Sequence, residues 1–370
     1  MRVGYWSPMP PMASGVADYA GALFGALKQL GDISLEDRNA DLHLYHIGNN
    51  QLHRAVYRRA LQQPGVVILH DAVLGHFFLG CLSQSEYVEE FTFNYGNWHR
   101  DLAARLWSER ASAGIDSRYY RYPMLRRIAE VSRRVIVHNP GAAQMVRAHC
   151  REARIAEIPH LFAPPHPIPA YEVIESRQAL GISPGDFLFG VFGYLRESKR
   201  LPMVLGAFER VFKMHPRARL LVAGDFVSSD LARAVKPNRD QPGVTWLGRQ
   251  PERNFWRLVH AIDAGINLRY PSAGETSGIT IRLMGIGKPV IMSDTLENSH
   301  YPDSTTVRVA PGIAEKAMLE EAMLALVSSP SLARQIGRQA AQHIAQNHQL
   351  AQVASSCWSV LRAAAEERLQ

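Results

Sequence analysis

Short, continuous apolar runs that alternate with helical segments constrain the fold of this chain more than any other feature. In the second half, such runs occupy residues 188–192, 219–223, 244–247, 265–268, 290–292 and 306–309. Segments 201–213 and 254–261 lie between some of them and have the apolar periodicity of helices. Unbroken apolar runs are typical of parallel strands that helices cover on both faces. The pattern predicts an α/β domain with a doubly wound sheet.

The first half repeats this pattern less regularly. We predict strands at 2–6, 42–47, 66–69 and 135–137, and a helix after Ser14 with one apolar face. Residues 86–127 are predicted to be helical and are rich in aromatic side chains, most of which we expect in a core. Residues 162–171 carry four prolines, which excludes a helix or an inner strand and predicts a linker. The predicted domains are 1–165 and 166–350, followed by a final helical segment, 351–370.

Size and composition define the class of protein. At 370 residues the chain exceeds one ordinary core, which favours two domains. With 46% hydrophobic and 20% charged residues it has the composition of a soluble protein, and no apolar run reaches membrane-spanning length. The first residues lack the apolar stretch of a signal peptide, so we expect a cytoplasmic protein, either free or at the inner face of the membrane. Three widely spaced cysteines argue against a disulfide framework and a zinc site.

The formal charge of +7 has a local maximum at 118–134, which holds six arginines and one glutamate. Such a basic segment can bind nucleic acid, an anionic membrane surface or an acidic acceptor. A solvated basic helix face is the structural alternative. We favour that alternative, because no nucleic-acid-binding motif accompanies the segment.

Residues 267–290 form the most informative motif. An apolar run ends in a loop rich in Pro, Ser and Gly, which is followed by a predicted helix that opens with Glu275, Thr276, Ser277 and Gly278 and closes at Gly287. The free N–H groups and the positive dipole end of such a helix attract anions. A carboxylate and two hydroxyls at the same place suit a ligand with phosphates and sugar hydroxyls. An ordinary helical connection with a capping box is the structural alternative.

Three other segments are predicted to end at the same kind of position. They are the loop 10–19, which enters a helix at Gly15, the strand 66–69 with His70 and Asp71 after it, and the cationic loop 193–200. Ligands bind outside the carboxyl ends of the strands in open α/β sheets. We therefore expect these segments to line a binding site.

Together, the four segments resemble the retaining nucleotide-sugar glycosyltransferases of family 4, and a variant subgroup with an RYP…GETS pattern is the better match. The resemblance implies the GT-B fold, in which two Rossmann-like domains face each other across a cleft. It also implies that a C-terminal helix, at about 351–368, crosses back onto the first domain. The implied donor is a UDP- or GDP-type sugar, with no metal or other cofactor, and the implied acceptor is a glycan, a lipid-linked sugar or a small molecule.

The resemblance also assigns catalytic roles to His70, Lys199 and Glu275. Cleavage of the anomeric C–O bond leaves negative charge on a diphosphate and positive character on the sugar, so fixed cations near the phosphates lower the barrier. Lys199 matches the diphosphate-binding lysine, His70 the histidine that touches the donor sugar, and Glu275 the first glutamate of a paired-glutamate motif. The family's arginine is replaced by Tyr194, and Arg196 is our candidate substitute, because its planar fork can hold two phosphate oxygens.

The second glutamate of the motif is missing. One alignment register places Leu283 there and the other places Arg282, so ribose recognition stays open. Further substrate-binding residues implied by the resemblance are Gly15, Asp18, Asp71, Gly193, Arg196, Thr276, Ser277, Gly278 and Arg282. The implied nucleotide-binding residues are Gly224, Leu247, Arg249 and Gln250.

The predicted function is metal-independent transfer of a sugar with retention of configuration. A nucleotide-sugar epimerase or a glycan phosphorylase is an alternative on the same architecture, and a non-catalytic binding subunit with this fold is another. The missing glutamate and Tyr194 favour the binding subunit, whereas His70, Lys199 and Glu275 weigh against it. Nucleic acid is not an expected partner.

Overall fold

The structure, a computed structural model, describes residues 1–12 and 14–367. The chain divides into two compact units. Unit 1 comprises Met1–Ala163, Pro271–Thr276 and the chain from Asn347 onward, and unit 2 comprises Pro164–Tyr270 and Ser277–Gln346. The domain limits proposed from the sequence stay predictions, and Arg368, the predicted end of the last helix, lies outside the described residues.

Twelve strands form within the described residues. They are β1 (Val3–Trp6), β2 (Ile33–Leu35), β3 (Leu42–Ile47), β4 (Val66–Leu69), β5 (Arg134–Val137), β6 (Ile155–Glu157), β7 (Phe187–Phe192), β8 (Ala218–Ala223), β9 (Val244–Leu247), β10 (Ala264–Asn267), β11 (Val290–Ser293) and β12 (Val307–Val309).

Fifteen α-helices accompany them in the described part of the chain. They are α1 (Gly15–Leu27), α2 (Arg54–Gln62), α3 (Gly75–Cys81), α4 (Gln84–Tyr95), α5 (Arg100–Ser108), α6 (Arg126–Val131), α7 (Pro140–His149), α8 (Ala170–Ala179), α9 (Leu201–Met214), α10 (Ser229–Ala234), α11 (Glu252–Ala261), α12 (Gly278–Gly285), α13 (Glu315–Ser328), α14 (Pro330–Asn347) and α15 (Leu350–Glu366).

Each unit is built on one six-stranded sheet. The order is β2-β1-β3-β4-β5-β6 in unit 1 and β12-β11-β10-β7-β8-β9 in unit 2, and every pairing is parallel. Strand order reverses between β1 and β3 in the first sheet and between β7 and β10 in the second. Such switch points are where doubly wound sheets bind ligands. The predicted α/β, doubly wound architecture is confirmed.

The helix α15 completes the core of unit 1. Its buried residues Val353, Cys357 and Leu361 belong to the same apolar cluster as Val3 and Leu23. The alternation of apolar residues at helical spacing explains why this face is buried. The predicted return of the last helix onto the first Rossmann-like unit is confirmed.

The strands β2 and β6 and the linker before α8 differ from prediction. The short strands β2 and β6 were not expected; only Ile33 is buried in β2, and none of β6 is, so neither has the apolar run of an inner strand. The predicted linker 162–171 is two residues too long, because Pro169 precedes α8 and Ala170 opens it. Proline fixes the backbone angle that a residue before a helix needs, so it starts this helix and does not exclude it.

The basic segment 118–134 is largely engaged in ion pairs within unit 1. The pairs are Arg118 with Glu109 and Asp116, Arg126 with Glu130, Arg127 with Glu90, and Arg134 with Glu367. These contacts support the structural interpretation of the segment. No helix in the described part of the chain combines the length and apolarity needed to cross a bilayer.

Candidate functional site

Lys199 lies at the switch point of the sheet in unit 2. It ends a single 3-10 turn after β7 and is only 3% exposed. Its ammonium donates to the carbonyl oxygen of Phe192, at the end of β7, and to Oδ1 of Asn267, at the end of β10, over 3.2 Å. The two strands on either side of the switch point therefore fix one positive charge between them.

Asn267 connects this lysine to the start of α12. Its amide nitrogen donates to Ser277 Oγ over 2.8 Å and to Thr280 Oγ1 over 2.7 Å. Ser277 in turn caps α12 by accepting from the backbone N–H of Thr280. Lysine, amide and helix start form one hydrogen-bonded unit, which combines a cation with the free N–H groups of a helix N-terminus. Asn267 was not singled out in the sequence.

The helix starts later and ends earlier than predicted. Glu275 and Thr276 precede it, Ser277 is its cap, and it runs from Gly278 to Gly285. The Ser277 side chain satisfies a first-turn N–H, which is what a helix cap does and an interior residue does not. Gly287 lies beyond the end with a φ of 80°, in the left-handed region that glycine adopts most readily.

The residues just before α12 belong to unit 1. Asn139, the cap of α7, donates to the carbonyl oxygen of Gly274 over 3.0 Å and to Thr276 Oγ1 over 2.9 Å. Gly274 has a φ of 75°, and a β-carbon there would lie 2.7 Å from that of Ala72. Glycine is required by both the backbone angle and the close approach. This loop is thus held at the carboxyl ends of β4 and β5.

Glu275 is half-buried in that loop. One carboxylate oxygen, Oε2, accepts from the backbone N–H of Ala273 over 2.7 Å, and Ser272 Oγ lies 3.4 Å away. These contacts orient the carboxylate before any ligand arrives. Its predicted role at the donor sugar stays a prediction.

His70 follows β4 directly and is 8% exposed. Its ring nitrogen Nε2 lies 2.9 Å from Nδ1 of His46, which is fully buried on β3. Burial lowers the pKa of His70 well below its usual value, and the neighbours His46 and His138 lower it further. The imidazole of His70 is therefore neutral.

His70 is one member of a histidine cluster, which we define as the buried His46, His70 and His138 and the half-buried His160 around the ring of Tyr19. Ring centroids of the histidines lie 4.8 to 6.0 Å from that of Tyr19. Burial lowers the pKa of His138 to about 4. Of these residues only His70 was predicted as a site residue. A signal was present for His138, which like His70 directly follows a buried apolar strand, but not for His46, which lies inside β3.

The other predicted residues of unit 1 have structural contacts. Asp71 Oδ2 accepts from the backbone N–H of Asn49 over 2.7 Å, which holds the loop after β3. Asp18 lies in the first turn of α1, where a negative charge complements the helix dipole. Gly15 opens the same helix, and nothing lies within 4 Å of the position that a β-carbon would take.

In unit 2, Tyr194 stands where the family has an arginine, and it contacts an arginine from another loop. Tyr194 accepts a hydrogen bond from Arg249 over 3.1 Å, and the guanidinium lies 5.6 Å from the centroid of the tyrosine ring. The backbone N–H of Arg249 donates to Asp225 Oδ1 over 2.9 Å. Arg196 is exposed on the neighbouring loop. Arg249 is thus a second candidate for the phosphate contact that Arg196 was expected to make.

Two glycines bring the ends of β7 and β8 together. A β-carbon on Gly224 would lie 1.9 Å from the carbonyl oxygen of Gly193, so no side chain fits there. Gly193 has a φ of 84°. The amide N–H of Gly224 donates to the carbonyl of Leu247 over 3.0 Å, and Gln250 donates to Gly248 over 3.1 Å. These contacts shape the loop ends where nucleotide contacts were predicted.

Arg282 lies within unit 2 above two aromatic rings. Its guanidinium carbon is 5.6 Å from the ring centroid of Phe255 and 5.9 Å from that of Trp256. Leu283 is fully buried. Of the two registers for the missing glutamate, only the Arg282 position carries a polar side chain outside the core.

The predicted residues therefore form two groups, each within one unit. His70, Asp71, Glu275 and Thr276 lie at the ends of strands or in loops of unit 1, and Gly193, Lys199, Ser277 and Gly278 surround the switch point of unit 2. Within residues 1–12 and 14–367, no group of three or more His, Cys, Asp or Glu side chains is arranged to hold a metal ion.

Residues 172–343, which cover most of unit 2, match the family model for Glycosyl transferases group 1. No curated protein sequence matches the chain. This match supports a glycosyltransferase, while the family 4 subgroup stays a prediction.

Solved structures resemble the whole chain. Sucrose-phosphate synthase from Thermosynechococcus elongatus is 15% identical over 98% of each chain, with a TM-score of 0.69. HepE from Anabaena, solved with UDP and glucose, is 13% identical over 98% of this chain and 99% of its own, with a TM-score of 0.63. WaaG, a glycosyltransferase involved in lipopolysaccharide biosynthesis, is 13% identical over 97% and 99%, with a TM-score of 0.63. At these identities the likeness shows the fold, which is the predicted GT-B class.

Proposed function

We propose that this chain is a retaining, metal-independent glycosyltransferase of family 4, in the subgroup with the RYP…GETS pattern. It transfers a sugar from a UDP- or GDP-type donor to a glycan, a lipid-linked sugar or a small molecule. The observation that carries the proposal is the buried Lys199 at the switch point, bound through Asn267 to the start of α12. A fixed cation beside a helix N-terminus is suited to a diphosphate.

In the proposed reaction, the anomeric C–O bond of the donor breaks and its electron pair stays on the diphosphate. The acceptor oxygen forms the new bond on the same face of the sugar, and its proton passes to the departing phosphate oxygen. Lys199 and the N–H groups of α12 stabilise the growing negative charge. His70 and Glu275 contact the sugar hydroxyls. Because these groups of the chain balance the negative charge on the departing diphosphate, the reaction does not need a metal ion.

The comparisons support the donor class. HepE was solved with UDP and glucose, and the group 1 match covers the unit that holds Lys199. The oriented carboxylate of Glu275 and the neutral ring of His70 are suited to hydroxyl groups, which both donate and accept hydrogen bonds. The acceptor is the least constrained part of the proposal.

The test is a thermal-shift screen of UDP, GDP and ADP, followed by turnover of the matching nucleotide sugars. A ligand that binds the folded state raises the unfolding temperature. We expect one diphosphate to bind wild type and to bind Lys199→Met poorly. Lys213→Met is the matched control, because Lys213 lies exposed on α9 and pairs with Glu209.

Turnover then separates the alternatives. Transfer that gives the donor's anomeric configuration and persists in a chelator supports the proposal. Interconversion of the donor sugar without an acceptor indicates an epimerase, and diphosphate binding without turnover indicates a binding subunit. If no nucleoside diphosphate binds wild type, the proposed function is wrong.

A further inference from the structure

A fully buried histidine, His46, lies within hydrogen-bonding distance of His70. His46 lies on β3 and is fully buried, while His70 follows the adjacent strand β4 and is 8% exposed. His46 Nδ1 and His70 Nε2 are 2.9 Å apart, and the two rings are nearly parallel, with an interplanar angle of 21°. Because Nε2 of His70 is engaged by His46, Nδ1 is the ring nitrogen that His70 can offer to a ligand.

The position of the shared proton follows from the other nitrogen of His46. Its Nε2 is buried and has no hydrogen-bond partner among the described residues. If His70 Nε2 were the donor, the proton of neutral His46 would sit on Nε2, as a buried N–H without an acceptor. Such orphaned N–H groups are rare and costly. The proton therefore belongs on His46 Nδ1, which donates to His70.

The surrounding histidines have the same tautomer. His53 Nδ1 lies 2.8 Å from the carbonyl oxygen of His46, and His138 Nδ1 lies 2.9 Å from that of Ile158. A carbonyl oxygen can only accept, so both rings carry their proton on Nδ1. The His53 contact also fixes the backbone that carries His46. This part of unit 1 thus holds its histidines neutral and in one defined tautomer.

We propose that His46 is a positioning residue that holds His70 in the Nδ1–H tautomer, so that His70 presents a neutral N–H donor to the sugar of the donor substrate. The inference rests on the proposed function for the identity of the ligand. It does not depend on that function for the proton position.

The proposed tautomer fits the chemistry of sugar transfer. The sugar gains positive character as the anomeric bond breaks, so a charged imidazolium beside it would raise the barrier. A neutral N–H donor can instead bind a sugar hydroxyl oxygen without adding charge. Burial, together with His53 and His138, also lowers the pKa of His46 well below its usual value, so the supporting ring stays neutral too.

Two variants of His46 separate the tautomer from the packing. In His46→Asn the amide nitrogen takes the place of Nδ1 and can still donate to His70. In His46→Gln the amide lies one bond further out, near the place of Nε2, and cannot make that bond. Thermal unfolding confirms that both variants fold, and binding of the nucleoside diphosphate monitors unit 2.

The first readout is the ¹⁵N spectrum of the histidine rings, with the His70 signals assigned by their loss in His70→Asn. We expect a protonated Nδ1 and an unprotonated Nε2 on His70 in wild type and in His46→Asn, and a mixed or reversed pattern in His46→Gln. A protonated Nε2 on His70 in wild type overturns the inference. This result needs neither substrate nor turnover, so it decides even if His46→Gln fails to fold.

The second readout is kinetic. Partners that orient metal-bound histidines contribute about 10- to 100-fold to metal affinity or activity, and we take that range as the scale for a ring that orients His70 in the same way. We expect a loss of kcat in this range for His46→Gln, with diphosphate binding preserved, and recovery of most turnover in His46→Asn. Equal kcat in the two variants overturns the positioning role. If wild type turns over no nucleotide sugar, the proposed function fails, whereas the spectrum still tests the tautomer.

Discussion

Replacing Asn267 with Asp changes the charge beside Lys199 and keeps the shape of the side chain. Lys199 Nζ lies 3.2 Å from Asn267 Oδ1, so the new carboxylate pairs with the ammonium. Coulomb attraction at this separation is about 5 kcal/mol at an effective dielectric constant of about 20, and desolvation of the carboxylate offsets much of it. The hydroxyls of Ser277 and Thr280 can rotate to donate to the carboxylate. We therefore expect a change of no more than about 2 kcal/mol in the free energy of unfolding.

Ligand binding should respond much more strongly. A diphosphate would meet a lysine whose charge is already neutralised, and a charged hydrogen bond contributes about 1.5–3 kcal/mol. That range corresponds to a loss of about 10- to 150-fold in affinity. Isothermal titration with the diphosphate that wild type binds measures it. The parent nucleoside, which has no phosphates, should bind the variant as it binds wild type.

Asn238→Asp is the matched control, since it makes the same charge change in unit 2 at a residue whose side-chain amide donates to Gln241. Its diphosphate affinity should equal that of wild type. An Asn267→Asp variant that folds and binds the diphosphate at full affinity would refute the placement of Lys199 at the phosphates. Equal losses for nucleoside and diphosphate would indicate general damage to the site.

Three further outcomes follow from geometry and burial. Gly224→Ala should lose about 1–3 kcal/mol of stability in chemical denaturation, because its β-carbon would overlap the Gly193 carbonyl, while Gly15→Ala, which faces open space, should unfold like wild type. Leu361→Ala should cost about 2–5 kcal/mol by leaving a cavity under α15, and a smaller loss would mean that the helix collapses into the gap. Burial lowers the pKa of His53 and His138 from 6.5 to about 4, so the unfolded chain binds protons that the folded chain does not. Stability should be full above pH 6.5 and fall towards pH 4 by up to about 3 kcal/mol per histidine, and His138→Asn, which keeps a donor to Ile158, should flatten that fall.

The sequence predicted the six strands of unit 2 because most of them are apolar runs bounded by loop residues, although β12 carries Arg308 between two valines. It missed β2 and β6, in which Ile33 is the only buried residue and no run of apolar residues marks the strand. Helix periodicity located α12 but not its start, because Glu275 and Ser277 are both acceptable near a helix cap. The side-chain contact of Ser277 with Thr280 decides between them, and a pattern of residues does not contain that contact.

Resemblance located Lys199, His70 and Glu275 as candidates, and their roles stay predictions. The side chains that contact and orient these candidates could not be predicted from the sequence. Asn267, Asn139 and His46 act through contacts with residues 10 to 137 positions away in the chain. A pattern of apolar and polar residues predicts which residues share one face of a strand or helix. These contacts depend instead on which strand ends lie side by side in the fold.

The division of the chain has a consequence for how it folds during synthesis. Unit 1 takes in Met1–Ala163, then Pro271–Thr276, and finally α15 near the carboxyl end. Its first 163 residues leave the ribosome with the surface beside α1 uncovered, since Val353 and Leu361 are made almost 200 residues later. Unit 2 emerges in between, and neither unit corresponds to a single stretch that can be cut out and expressed whole. A nascent chain should therefore need protection of that apolar surface until α15 has been synthesised.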